Sequence, residues 1–111
     1  MIKALVGLGL LRVDAEVYVY LAKTGPLKSR DIAQKLNLQN SQLECSLRNL
    51  QDKDVIRAKN KVAIEFAAVP FEEALNLLIE ISKEQTETLN EIRKELLLNW
   101  KKSTKKASEN N

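Results

Sequence analysis

The sequence predicts a mainly α-helical fold with a small β-hairpin: a winged helix-turn-helix followed by a long C-terminal dimerisation helix. Three observations predict it. From residue 12 to 53, apolar side chains recur at helical spacing, interrupted only at Thr24-Gly25-Pro26 and Leu36-Asn37-Leu38. Over 55–69 the period drops to two, with cations at Arg57, Lys59 and Lys61. Beyond Pro70 a helical repeat returns and runs without Gly or Pro to about Trp100. Helix, helix-turn-helix, basic hairpin and closing helix, in that order, make the winged arrangement.

The 111 residues suit one domain with an appendage, and three glycines with two prolines favour long helices over a β-sandwich. One cysteine cannot form an internal disulfide, so a reducing, cytoplasmic setting is expected. No apolar run reaches membrane-spanning length, so no membrane partner is expected. Residues 1–15, MIKALVGLGLLRVDA, mimic a short signal peptide. Their apolar stretch is minimal, holds two glycines and ends at Arg12, which favours a packed helix instead. Charge is segregated. Residues 1–62 hold 11 Lys and Arg against 6 Asp and Glu, a balance of +5; residues 63–100 hold 3 against 8, −5; the tail holds 4 against 1, +3. A basic head beside an acidic stalk fits a nucleic-acid-binding module on a solvated helix.

Taken in order, Ile2 to Val6 form a short helix stopped by Gly7 and Gly9. The next helix, Arg12 to Lys23, turns Ala15, Tyr18, Leu21 and Ala22 inward, and Gly25-Pro26 ends it. The third segment, Ser29 to Leu36, buries Ile32, Ala33 and Leu36. The fourth, about Asn40 to Lys53, buries Leu43, Leu47 and Leu50. In the hairpin, Ile56 and Ala58 alternate on one strand, Val62, Ile64 and Phe66 on the other, around a turn near Asn60-Lys61. Pro70 opens the last helix, with Glu72 and Glu73 suiting its positive end. There Phe71, Leu75, Leu78, Ser82, Gln85, Leu89, Ile92 and Leu96 follow a 4-3 spacing, a pairing seam with two polar members at its middle. The expected organisation is a winged helix-turn-helix over 1–69, a dimerisation helix over 70–100 and a basic disordered tail over 101–111.

The stretch LGLLRVDAEVYVYLAKTGPLKSRDIAQKLNLQNSQLECSLRNLQDKDVI resembles the N-terminal domain of the TrmB family of archaeal transcription regulators. The resemblance rests on Leu8-Gly9-Leu10, Ala15, Val17-Tyr18, Leu21, Gly25-Pro26, Ile32-Ala33, Ser41, Leu43, Leu47 and Leu50. FAAVPFEEALNLLIE, 66–80, is similar to the family's exit from the wing into a dimerising helix. The resemblance implies a homodimeric, sequence-specific regulator of double-stranded DNA. Four departures stand out. Leu11 and Lys28 replace side-chain helix caps, Glu44 replaces a Tyr, and Asp54 replaces the Gly that ends the recognition helix. Larger members add a sugar-binding domain; residues 1–111 hold none, and no small-molecule effector is expected.

On a helical wheel the outer face of the fourth segment carries Ser41, Cys45, Arg48, Asn49 and Asp52, with Gln42 at its flank. Asn and Gln pair with adenine and Arg with guanine, so Ser41, Gln42, Cys45, Arg48 and Asn49 are the candidate base readers. Phosphate falls to Lys28, Arg30 and Lys35 beside the preceding segment and to Arg57, Lys59 and Lys61 on the wing. Ser41-x-x-Glu44 matches a capping box, which would tie Glu44 to the backbone. Dimerisation falls to Phe71, Leu75, Leu78, Leu89, Ile92 and Leu96. There is no His, no Cys-x-x-Cys, no phosphate-cradling Gly loop and no Asp-rich cation loop. Neither catalysis, cofactor nor metal is expected. The competing reading is a winged-helix adaptor that binds protein in a transcription or replication assembly, with weak or no DNA binding.

Overall fold

The computed structural model describes residues 2–60 and 62–109, with side chains through Ser103. Its elements are α1 (Ile2–Gly7), α2 (Arg12–Thr24), β1 (Leu27–Lys28), α3 (Ser29–Leu36), α4 (Asn40–Asp52), β2 (Ile56–Lys59), β3 (Glu65–Ala68) and α5 (Phe71–Glu109). This is the winged helix-turn-helix that the periodicity predicts. The chain divides into two units, 1–81 and 82–111.

In the first unit one core gathers Leu5 and Leu10, Tyr18 and Leu21 of α2, Ile32 of α3, Leu43, Leu47 and Leu50 of α4, and Ala74 and Leu78 of α5. Each buried Leu or Ile contributes roughly 1.5–3 kcal/mol by leaving water. Punctuation is supplied by single residues. Asn37 takes a left-handed backbone (φ 53°) while the Leu38 N–H returns to the Ala33 carbonyl at 2.9 Å, which closes α3. Asp54 takes φ 60° while the Val55 N–H reaches the Leu50 carbonyl at 3.2 Å, which closes α4. So Asp54 accepts the conformation that a Gly would take more cheaply. Leu11 and Lys28 sit at the N-caps of α2 and α3 and make no side-chain cap bond.

Val69 is pinned from two sides. Its N–H donates to the Val55 carbonyl at 2.9 Å, and its carbonyl accepts from the Tyr18 hydroxyl at 2.6 Å. The Tyr18 ring lies 6.5 Å from that of Phe71. The two stretches that carry the family resemblance, around Tyr18 and around Val69-Pro70, are thus physically joined. Tyr18→Phe keeps the ring but leaves a buried carbonyl without its donor. The expected cost is roughly 1–3 kcal/mol in urea unfolding. Burial also raises the Tyr18 pKa above its ordinary 10.0. Below pH 10 both states keep the proton; above it the unfolded chain ionises first, so this contribution is lost as pH rises, and the Phe variant lacks that alkaline loss.

Four expectations need correction. The sheet has three strands in the order β1-β3-β2, because Leu27 and Lys28 pair antiparallel with Phe66 and Glu65; two residues before a helix show no alternation to read. The wing strands are short: β3 starts at Glu65, and Val62 and Ile64 are exposed in the connecting loop. The turn at Asn60-Lys61 falls partly outside the described residues, and Asn60 has φ 65°. Ala22 is exposed, while Val17 and Val19 are buried; α2 is covered on more than one side, so its buried face is wider than one stripe. Lastly, α5 continues to Glu109, into the segment expected to lack structure. Lys, Ala, Ser, Thr and Glu contain no breaker, and a missing apolar face argues against packing rather than against helix. Among the described residues no helix is long and apolar enough to cross a membrane, and no acid, Cys and His cluster is fit for a metal.

Candidate nucleic-acid interface

The helix-turn-helix is α3 and α4, and α4 is held to the head by Leu43, Leu47, Leu50 and the buried Ser46. That leaves Ser41, Glu44, Cys45, Arg48 and Asp52 exposed on its other side. The five candidate base readers separate. Ser41, Cys45 and Arg48 are exposed as the wheel predicts. Gln42 is exposed, but its Oε1 accepts the Gln39 N–H at 3.1 Å. The capping box at the start of α4 is therefore Gln39-x-x-Gln42, two residues before the expected Ser41-x-x-Glu44, because the helix begins at Asn40. With its oxygen engaged, Gln42 keeps its amide N–H groups to donate, and the bidentate adenine pattern needs both atoms. Glu44 stays exposed without that tie.

Asn49 departs furthest. It is half-buried, and its Nδ2 donates to Asp14 Oδ2 at 3.4 Å, across the α2–α4 contact. The wheel puts Asn49 outward because it weighs only the leucines of α4; the first turn of α2 covers that flank. Asp14 and Ser46 are the polar residues that the sequence reading misses. Both stand on inward stripes, Asp14 with Val17, Tyr18 and Leu21, Ser46 with Leu43, Leu47 and Leu50, so apolar periodicity would have placed them.

The cations divide too. Lys28, Arg30 and Lys35 are all exposed around α3. Because α3 has no side-chain cap, its first-turn N–H groups can face an anion beside Lys28 and Arg30. On the sheet, Glu65 of the central strand lies opposite both Lys28 and Lys59. Directly opposed side chains share a face, so the two lysines flank one carboxylate about 10 Å apart, two strand spacings. Glu65 also accepts from Asn60 Nδ2 at 3.1 Å. Arg57 is engaged: its Nη2 lies 3.6 Å from Glu73 Oε1 at the start of α5. Lys61 lies outside the described residues.

The pairing residues divide between the units. Leu78 is fully buried in the core of unit 1 and Leu75 packs against it, while Phe71 meets Tyr18. These three hold α5 to its own head, which a repeat of spacing alone cannot reveal. In unit 2, Leu89, Ile92 and Leu96 are exposed.

The chain matches the family model described as sugar-specific transcriptional regulator TrmB over residues 5–72. An uncharacterized protein of Methanocaldococcus jannaschii is 31% identical over 88 residues, 73% of this chain and 64% of that protein, so the chain spans just under two thirds of that relative's length. A possible transcriptional regulator from Methanosarcina mazei has a similar fold, with a TM-score of 0.60 at 17% identity over 79% of this chain and 80% of that one. A mutant form of ZitR of Lactococcus lactis, in complex with DNA, has a TM-score of 0.54 at 16% identity, over 78% of this chain and 60% of that one.

Proposed function

Since the chain belongs to the TrmB family of transcriptional regulators, we propose that it binds double-stranded DNA sequence-specifically as a homodimer. The observation that carries this reading is a docked helix-turn-helix whose second helix exposes Ser41, Cys45 and Arg48 between cations on α3 and on the wing. Phosphate contacts from Lys28, Arg30, Lys35 and Lys59 fix position, and groove contacts from α4 select sequence. That division explains how a nearly neutral helix can read bases. Arg48 is the principal reader, suited to guanine O6 and N7, with Ser41 and the amide of Gln42 as lesser contacts. Two heads held by their long helices would reach half-sites about one helical turn apart, in the manner of other dimeric helix-turn-helix proteins.

Cys45 offers the test of orientation, since it is a free, exposed thiol one turn before Arg48 and Asn49. Coupling a bulky maleimide to Cys45 is expected to abolish binding to a selected operator, while Cys45→Ser binds normally and ignores the reagent. Full operator affinity of the coupled protein would mean that this face of α4 stays out of the groove. The exposed acids Glu44 and Asp52 favour the second reading, a protein-docking adaptor. The adaptor has no salt-steep affinity for duplex DNA.

A further inference from the structure

Beside the helix-turn-helix, the first turn of α2 and the flank of α4 enclose an open depression of about 360 Å³. By the volume of liquid water it has room for about a dozen water-sized groups. Its surface is mostly apolar, with Leu11, Val13 and Cys45 among its walls, and Asp14, Ser46 and Asn49 also line it. The polar three are unusual in their state. Asp14 is 3% exposed and receives one long hydrogen bond, from Asn49. Ser46 is 2% exposed, and its Oγ has no hydrogen-bond partner among the described residues. Asn49 spends its Nδ2 on Asp14, which leaves its carbonyl oxygen as an acceptor.

A buried hydroxyl without a partner and a buried acid with one weak partner are both costly unless something else completes them. What Asp14 lacks is donors, and the Ser46 hydroxyl, which can donate as well as accept, lacks a partner of either kind among the described residues. The carboxylate of Asp14, the carbonyl of Asn49 and the hydroxyl of Ser46 are three acceptors beside apolar walls, and a primary ammonium carries three N–H donors and a charge opposite to Asp14. The positive end of α2 opposes a cation with about half a charge, against the full charge of the carboxylate. We infer that this depression binds a small amphiphilic primary ammonium, its head on Asp14, Ser46 and Asn49 and its apolar body against Leu11 and Val13.

The same depression is lined by Ser41 and Gln42 of the exposed α4 surface. An occupant therefore stands against the helix that reads bases, and amine and duplex exclude each other. This second half rests on the DNA-binding reading above; the ammonium site does not.

The test uses the full chain, labelled with nitrogen-15, and 2-phenylethylammonium chloride as probe, with 2-phenylethanol as its uncharged counterpart. Saturable amide shifts are expected at residues 11–14 and 41–49, with half-saturation on the order of 1 mM. The alcohol is expected to bind at least about tenfold more weakly, since it lacks the charge-assisted bonds. Asp14→Asn should lose about tenfold for the ammonium and Ser46→Ala about threefold, each with the amide dispersion of a folded chain. Equal affinity for alcohol and ammonium, shifts centred elsewhere, or undiminished binding by a folded Asp14→Asn would overturn the site. Should Asp14→Asn not fold, the wild-type ratio of ammonium to alcohol decides alone. In the DNA arm, the probe should release bound duplex beyond an equal concentration of ammonium chloride. Release equal to that control would overturn the mutual exclusion. Failure of the chain to bind any duplex would overturn the DNA-binding reading and leave the shift map to judge the site.

Discussion

Leu89→Glu combined with Ile92→Glu is expected to convert a dimer into a monomer and to abolish operator binding at micromolar protein. Leu89 and Ile92 are exposed in unit 2 and share one helical stripe with Leu96. The upstream members of the 4-3 repeat are committed elsewhere, because Leu78 belongs to the core of unit 1, Leu75 packs against that core and Phe71 meets Tyr18. In the proposed dimer, pairing between copies would therefore fall to the stretch beyond Gln85. Each aliphatic removed from water there contributes roughly 1.5–3 kcal/mol, twice over in a symmetric dimer. Glu at both positions loses that gain and adds carboxylates that a closed seam would bury unpaired. The sum exceeds roughly 6 kcal/mol, more than four orders of magnitude in the dissociation constant. Light scattering at tens of micromolar (on the order of usual dimer affinities) reads the change. Wild-type protein that scatters as a monomer at that concentration would rule out pairing through α5.

A second large effect is expected from replacing Lys28, Arg30, Lys35 and Lys59 together with Ala. All four are exposed, so stability should change little, within about 0.5 kcal/mol per site. Each lost phosphate contact releases one fewer counterion and flattens the salt dependence by about 0.9 unit. If each lysine or arginine holds one phosphate, the log–log slope falls by roughly 3–4 units per protomer. Affinity for random and selected duplex should fall alike, because phosphate contacts fix position and carry no sequence preference. Arg57→Ala alone should do less, since Arg57 already holds Glu73 at 3.6 Å and that acid competes with phosphate for it. A quadruple variant with the wild-type slope would move the phosphate contacts to other residues.

How far the sequence reads can be seen at particular residues. Gly25-Pro26 and Asn37 delimit α2, α3 and α4 because breakers and left-handed residues act locally, within the window a periodicity covers. The burial of Leu43, Leu47 and Leu50 follows from the same local pattern. β1 does not, since its two residues become a strand only through Glu65 and Phe66, nearly forty positions away. Asn49 fails for a related reason: its neighbour Asp14 is 35 residues off, and a wheel of one helix contains no second helix. Leu78 marks the same limit on α5, where one spacing serves a core and a seam alike. Cys45, Ser41 and Arg48 lie where the wheel puts them, exposed on the side of α4 away from its leucines. Which cations are already engaged, Arg57 with Glu73 above all, becomes visible only when the wing and α5 are folded together.

The claim that α3, α4 and the wing form a duplex-binding surface is tested most directly by the wild-type chain on a random duplex of about 30 base pairs, long enough for two half-sites. Fluorescence anisotropy from 50 to 300 mM salt (roughly the range in which counterion release is read) gives the association constant at each point. Tight binding is expected at the low end, with a linear log–log fall of slope between about −5 and −8, from six to nine phosphates shared by two protomers. Absence of binding at the lowest salt, or an affinity indifferent to salt, would contradict that claim and leave α4, with Glu44 and Asp52 exposed, as a surface for protein.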